Sequence, residues 1–299
     1  MRPELTSHRP RPIRRLGQHF LIDNDILKRI VGYASLKHDD IVLEVGPGTG
    51  TLTSLIAETA GKVIAVEKDL RFVKLLHEKF DPKDGIEVIH GDVLQSSLPN
   101  FNKVVSNIPY YISSKFMLFL AKKTFEIGVL TLQKEFAQKL VAENGYPNYG
   151  RITVAIQHRM DVKLLDQVPK ESFKPRPKVE SVIVTLKPKL NSHNVRDEVL
   201  FDNLVRDLFT QRRRHVKKVL GHYLESKVGT PYQDAFKEIS LPNLRVCEMT
   251  VRQFEQLSDE LCEALAKNNR RDQMTQLGTN ALDKKEFGDS FVGCQSCSR

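Results

Sequence analysis

The chain has 299 residues, 40% of them hydrophobic and 28% charged, enough for a full core and two domains. No apolar run approaches the ~20 residues that cross a bilayer, the N-terminus lacks the apolar segment of a secretory signal, and four cysteines are too few for a disulfide scaffold. The net charge of +9 points to a polyanionic partner.

Residues 1–15 form a basic arm that combines Arg2, Arg9, Arg11, Arg14 and Arg15 with Pro3, Pro10 and Pro12, suited to phosphate contacts. Asp23 is placed to cap a first helix over Asp25 to Val31, whose Ile26, Leu27, Ile30 and Val31 share one face. A buried strand, Ile41 to Gly46, runs into the turn Gly46-Pro47-Gly48-Thr49-Gly50 and a helix over Thr51 to Thr59. Strand, glycine turn and helix open a doubly wound nucleotide-binding sheet. Glycines let a ligand approach the backbone, and the helix start offers free amides. The spacing is GxGxG, not the GxGxxG of dinucleotide binders.

A second strand, Lys62 to Val66, ends in Glu67, a carboxylate placed to hold the ribose hydroxyls of a nucleoside. A helix around Leu70 to Phe80 leads to a third strand, Ile86 to His90, closing on Gly91-Asp92-Val93. Asp92 can accept from the amino group of an adenine ring while the Val93 N–H donates to it. The fourth strand, Lys103 to Ser106, delivers Asn107-Ile108-Pro109-Tyr110-Tyr111. There a carboxamide oxygen and a turn carbonyl can both accept from an exocyclic amine, and a tyrosine can stack on a flat heterocycle.

Ile112 to Lys122 reads as helix, Gly128 to Leu132 as a fifth strand, and Lys134 to Glu143 as a helix ended by Asn144-Gly145. Residues 151–158 read as a sixth strand, Pro169 to Pro177 as a loop, and Ser181 to Leu186 as the last strand. From Asn194 onward the pattern is helical, with helices expected over Val199 to Phe209, Tyr232 to Ile239 and Val251 to Lys267, the last capped by Thr250. Arg212, Arg213, Arg214, Lys217 and Lys218 gather five like charges in seven residues, which suits phosphate binding better than a solvated helix face. Residues 268–299 are polar and unpatterned and are expected to be disordered. Cys294 and Cys297 there form half of a zinc site that nothing completes, so no metal is expected. The resulting division is an arm (1–15), an α/β domain (16–190), a small helical domain (191–267) and a tail (268–299).

Glu67, Asp92 and Asn107 at strand ends, with the GxGxG turn, resemble a class I S-adenosylmethionine-dependent methyltransferase. Gly17-Gln18-His19-Phe20-Leu21 and Phe173-Lys174-Pro175-Arg176-Pro177-Lys178-Val179-Glu180-Ser181 narrow the likeness. The chain is similar, over about residues 14–265, to the ribosomal RNA adenine dimethyltransferases, the KsgA type that acts on small-subunit rRNA.

The resemblance implies a Rossmann-like sheet of seven strands whose last strand, Ser181 to Leu186, is antiparallel, with a small all-helical domain after it. It implies that Gln18, His19 and Leu21 line the methionine side of S-adenosylmethionine, although the family often has Asn at the place of His19. Gly46 and Gly48 would pass beneath the methionine, Glu67 bind the ribose with Lys68 beside the adenine, and Asp92 and Val93 read the adenine edge. Asn107 would sit where cofactor and target base meet, its oxygen and the Ile108 carbonyl holding the target amine. Tyr110 would stack on the flipped adenine and Phe173 close its other face. Arg14, Arg15, Lys174, Arg176 and the Arg212 to Lys218 cluster would hold phosphates. The expected activity is N6,N6-dimethylation of two adjacent adenosines near the 3′ end of small-subunit rRNA during ribosome biogenesis. The protein is expected to work as a cytoplasmic monomer on a pre-ribosomal small subunit.

Three alternatives stay open on sequence. A nicotinamide-dependent oxidoreductase fits the glycine turn and Glu67 but not the turn's spacing or Asn107-Ile108-Pro109-Tyr110. A non-catalytic assembly or transcription factor could reuse the fold. A large-subunit rRNA methyltransferase shares most of the motifs.

Overall fold

The computed structural model describes Pro10 and residues 18–189, 195–227 and 239–267. The rest of the basic arm with Arg14 and Arg15, the helix expected over 232–239 up to its last residue, and the tail with Cys294 and Cys297 lie outside the described residues. The chain forms two compact units, Met1–Ser192 and His193–Arg299.

The first unit is built on a seven-stranded sheet: β2 (Ile41–Val45), β3 (Lys62–Glu67), β4 (Ile86–His90), β5 (Lys103–Asn107), β6 (Ile127–Gln133), β7 (Met160–Val168) and β9 (Ser181–Pro188). Their order is β4-β3-β2-β5-β6-β9-β7. Strands β2 to β6 run parallel to one another, and β9 runs antiparallel between β6 and β7. A separate two-stranded piece pairs β1 (Phe20–Leu21) with β8 (Phe173–Lys174), Phe20 opposite Lys174 and Leu21 opposite Phe173.

Alternation along the strands supplies two cores, one on each face. Leu43, Val104, Leu130 and Val184 face α4 (Ser113–Leu120), α5 (Lys134–Leu140) and α6 (Arg151–Arg159). Val42, Val63, Val105 and Ile183 face α1 (Asn24–Ala34) and α2 (Thr51–Ala57). A further helix, α3 (Leu70–Lys79), follows β3. Helix α1 starts where expected, with the Asp23 carboxylate accepting from the amides of Asp25 and Ile26. Asp40 and Lys103 form a buried ion pair of 2.9 Å at the opposite ends of β2 and β5 from the glycine turn.

The chain winds outward from β2 through β3 to β4, then returns to the other side of β2 with β5. This leaves a topological switch point between β2 and β5, where open α/β sheets hold their ligands. Backbone pairing of β2 with β5 covers Val42–Lys103 and Leu43–Val104 only. Beyond it, the Ser106 hydroxyl bridges, donating to the Val45 carbonyl at 2.7 Å and accepting from the Val45 amide at 3.3 Å.

Three expectations need correction. Residues 151–158 are not a strand but most of α6, and the sixth strand is β7, one step later. The β-branched Ile152, Thr153, Val154 and Ile156 suggest a strand, but context overrides that preference. The Gly150 amide donates to the Thr153 hydroxyl, which donates to the Lys139 carbonyl at 2.7 Å, fixing a helix start. Strand β7 is an edge strand with a register shift between Leu164 and Gln167, so it carries polar residues and no clean alternation. Helix α5 also stops at Leu140, short of Glu143, and the loop expected over Pro169 to Pro177 contains β8.

The second unit contains α7 (Glu198–Leu208), α8 (Val216–Lys227) and a helix over 251–267. Phe201, Leu204, Leu220, Phe254 and Leu257 are buried within it, and Phe209 stacks on Phe254 with ring centres 5.5 Å apart. Thr250 caps the last helix through a reciprocal pair with Gln253. No described helix is long and apolar enough to cross a membrane.

Candidate active site

The C-terminal ends of β2 to β5 open on a cleft between the glycine turn and the turn after β5. Gly46 and Gly48 lie in its floor with φ of 69° and 55°, the left-handed region that glycine enters freely. A Cβ on Gly48 would stand 2.5 Å from the Phe20 ring. The Lys79 ammonium fastens the turn from behind, donating to the carbonyls of Thr49 and Gly50 at 3.2 and 2.7 Å. Beneath it lies Glu44, whose carboxyl is pushed up to about 8 by complete burial, against the pull of the Lys79 cation. Glu44 Oε2 has no hydrogen-bond partner among the described residues.

Glu67 is held by both oxygens, one accepting from the Gly48 amide at 3.1 Å and the other from the Asp69 amide at 2.8 Å. Burial raises its pKa. Its carboxylate retains lone pairs for further donors. At the tip of β4, Asp92 pairs with Lys68 at 3.0 Å and accepts from the Leu94 amide, and the Lys68 ammonium lowers its pKa. Gln18 donates to Asp69, whose carboxylate is paired with Arg71 and held low by it.

At the end of β5 the Asn107 amide nitrogen donates to the His19 carbonyl at 3.1 Å. Asn107 Oδ1 is buried without a partner among the described residues. Leaving a buried acceptor unpaired costs about 1–3 kcal/mol, so this atom marks a place where a donor is wanted. His19 Nδ1 lies 2.7 Å from the Pro175 carbonyl, and since a carbonyl only accepts, Nδ1 carries the hydrogen. The His19 ring stacks on Tyr110, centres 5.6 Å apart, and the Tyr110 hydroxyl meets the Ser181 hydroxyl at 2.6 Å. Burial raises the Tyr110 pKa.

Gln18, His19, Gly46, Gly48, Glu67, Lys68, Asp92, Val93, Asn107, Ile108 and Tyr110 all line this one cleft. Leu21 and Phe173 do not. They are 5% and 3% exposed and packed in the core beside α1. The reason is the β1–β8 pairing: adjacent strand residues point to opposite faces, so Phe20 reaches the cleft and Leu21 turns away. Sequence reasoning misses Phe20 for want of that register, and leaves Tyr111 undecided between core and pocket wall. Tyr111 lines the cleft and is 52% exposed. Lys174 is exposed and Arg176 pairs with Glu171 on the same loop. In the second unit, Arg213, Arg214, Lys217 and Lys218 are exposed and Arg212 is partly buried.

The set of groups fits a sulfonium nucleoside. It offers a carboxylate for a ribose, an acid and an amide at an adenine edge, a glycine floor that a Cβ would fill, and an orphan acceptor beside an aromatic ring.

Comparison with known proteins agrees. The family described as ribosomal RNA adenine dimethylase matches residues 11–261. The chain is 41% identical over 262 residues to a probable ribosomal RNA small subunit methyltransferase A of Thermococcus sibiricus, covering 86% of this chain and 94% of that one. A dimethyladenosine transferase from Plasmodium falciparum superposes with a TM-score of 0.70 at 30% identity, covering 82% of this chain and 98% of the other. The 23S rRNA methyltransferase ErmE superposes with a TM-score of 0.60 at 28% identity, covering 81% and 99%.

Proposed function

The chain belongs to the ribosomal RNA adenine dimethylase family, and from that premise we propose that it dimethylates N6 of two adjacent adenosines near the 3′ end of small-subunit rRNA, using S-adenosylmethionine. The observation that carries this reading is the buried, unpartnered Oδ1 of Asn107 beside the ring of Tyr110.

When bound, S-adenosylmethionine supplies an activated methyl group. The protein supplies position. Glu67 holds the ribose hydroxyls, Asp92 and the Val93 amide hold the adenine edge, and Gly46 and Gly48 leave room for the methionine, with Gln18 and His19 along its side. Tyr110 stacks on the target adenine, an interaction worth about 1–3 kcal/mol per base.

Asn107 and Ile108 answer a specific chemical difficulty. An adenine amine is a poor nucleophile because its lone pair is delocalised into the ring. Acceptance of its hydrogens by Asn107 Oδ1 and the Ile108 carbonyl favours a tetrahedral nitrogen whose lone pair is free to attack. The same oxygens stabilise positive charge as it builds on that nitrogen. No general base is required before transfer, and alignment accounts for most of the rate. The base must leave its stack, at a cost that is small in an RNA loop. Lys174, Arg176 and the exposed Arg213 to Lys218 cluster hold phosphates, joined by Arg14 and Arg15. The protein works as a monomer in the cytoplasm, on a pre-ribosomal small subunit.

The test is transfer of labelled methyl groups from S-adenosylmethionine to under-methylated small subunits, with large subunits alongside and nucleosides read by mass spectrometry. N6,N6-dimethyladenosine is expected on the small subunit alone. Label on the large subunit alone would move the target there, and label on neither would leave an assembly factor on a methyltransferase fold.

A further inference from the structure

Two tyrosines follow each other in the turn Tyr110–Ile112, which is a single turn of 3-10 helix. With three residues per turn, consecutive side chains leave such a turn about 120° apart. Tyr110 and Tyr111 therefore cannot serve the same part of the cleft, although both line it.

Their surroundings differ accordingly. Tyr110 is committed to the transfer end, stacked on His19 and tied to Ser181. Tyr111 lines the cleft together with Lys68, Asp92 and Glu67, and the charges of all three reach its phenol. Those three residues are the ones assigned above to the nucleoside of the cofactor. Tyr111 is 52% exposed, an aromatic residue presented at a ligand cleft. Burial raises its pKa, against the pull of the Lys68 ammonium.

We propose that Tyr111 is a nucleoside-binding residue, an aromatic wall that covers the adenosine half of the cofactor while Tyr110 serves the target base. The proposal rests on the methyl-donor reading above and adds a division of labour to it. The ring supplies apolar and stacking contact and takes no part in the transfer, so it holds methyl donor and demethylated product alike. A wall common to both ligands changes affinity without changing the chemical step.

The chain contains no tryptophan, so Tyr111→Trp installs the sole indole of the protein. Its fluorescence, and calorimetry on the wild type, Tyr111→Phe and Tyr111→Ala, would be followed on addition of S-adenosylhomocysteine or 5′-methylthioadenosine. Expected are an indole response to both ligands, affinity within about twofold of wild type for Tyr111→Phe, and a loss of about tenfold for Tyr111→Ala. In turnover Tyr111→Ala should raise the KM for S-adenosylmethionine and leave kcat near wild type. Equal affinity of wild type and Tyr111→Ala for both ligands would overturn the proposal, and a raised KM for RNA in that variant would give Tyr111 to the RNA instead. A wild type that binds neither ligand would remove the methyl-donor reading itself, a result distinct from either.

Discussion

The amide of Asn107 donates to the backbone carbonyl of His19 at 3.1 Å, and this contact decides which polar atom of Asn107 is left over for a ligand. Tying the nitrogen leaves Oδ1 as the acceptor. Asn107→Ala should therefore lower single-turnover methyl transfer by about 10²–10³-fold, the usual cost of one preorganised polar group. Asn107→Asp keeps the shape but sets a carboxylate oxygen against the His19 carbonyl, and should be equally damaging. Affinity for S-adenosylhomocysteine, measured by calorimetry, should fall less than the rate does. A rate within threefold of wild type for Asn107→Ala would remove the residue from the chemistry.

The Tyr110–Ser181 hydroxyl pair at 2.6 Å orients a ring that the strand end alone would leave free to swing. Tyr110→Phe and Ser181→Ala should each cost about 0.5–1.5 kcal/mol in kcat/KM for RNA. The double variant should cost no more than the larger single one, because both remove the same contact. Additive losses in the cycle would show that the two side chains act separately.

Gly48→Ala meets two obstacles, a left-handed φ of 55° and a Cβ 2.5 Å from the Phe20 ring. The backbone part costs roughly 1–2 kcal/mol and should lower Tm by a few degrees. Cofactor affinity should fall more than tenfold, as the floor of the cleft rises. Adding Phe20→Leu should recover only part of the stability, since it relieves the clash and not the dihedral. Full recovery of Tm would show that the backbone strain is negligible.

Glu44 makes stability depend on pH in an unusual direction. Its carboxyl rises from 4.5 to about 8 on folding, so between these values the folded chain binds a proton that the unfolded chain has released. Stability must then fall as pH rises through that window. Burial raises Glu67 as well, with the same sign. Glu44→Gln should match wild type in its pH trend below 4.5 and gain Tm relative to it by several degrees from pH 5 to pH 8. Scanning calorimetry across that range decides the point, and parallel curves for the two proteins would refute it.

The exposed Arg213, Arg214, Lys217 and Lys218 should act through charge alone. Neutralising any one should weaken RNA binding without changing the methylated nucleotides. It should also flatten the salt dependence of log K by about 0.7–0.9 for each phosphate no longer neutralised. Binding titrations from low to physiological salt measure this, and an unchanged slope would place the cluster on a free surface.

The sequence shows most of the cleft because its lining residues sit at strand ends, where short buried runs stop abruptly at Gly46, Glu67, Asp92 and Asn107. Glycines and acids in such places have few structural reasons to be there. What it conceals depends on register and context. Leu21 and Phe20 are adjacent, and only the pairing with β8 decides which one faces the cleft. Residues 151–158 carry strand-forming side chains in a helix that Thr153 starts and the sheet covers. Strand β7 hides because an edge strand is half solvent. Thr250 is legible as a cap, and its partner is Gln253.

The small pairing of β1 with β8 has a consequence for the order in which the protein becomes competent. His19 is steadied by Pro175, and Tyr110 by Ser181, so residues early in the chain wait on residues that are synthesised far later. A growing chain that has reached the end of β6 already holds the glycine turn, Glu67, Asp92 and Asn107. It still lacks the loop that sets His19 and Tyr110 against the cleft. The site can therefore be completed only once Ser181 has been made, and an unfinished chain carries the parts of the site without these contacts.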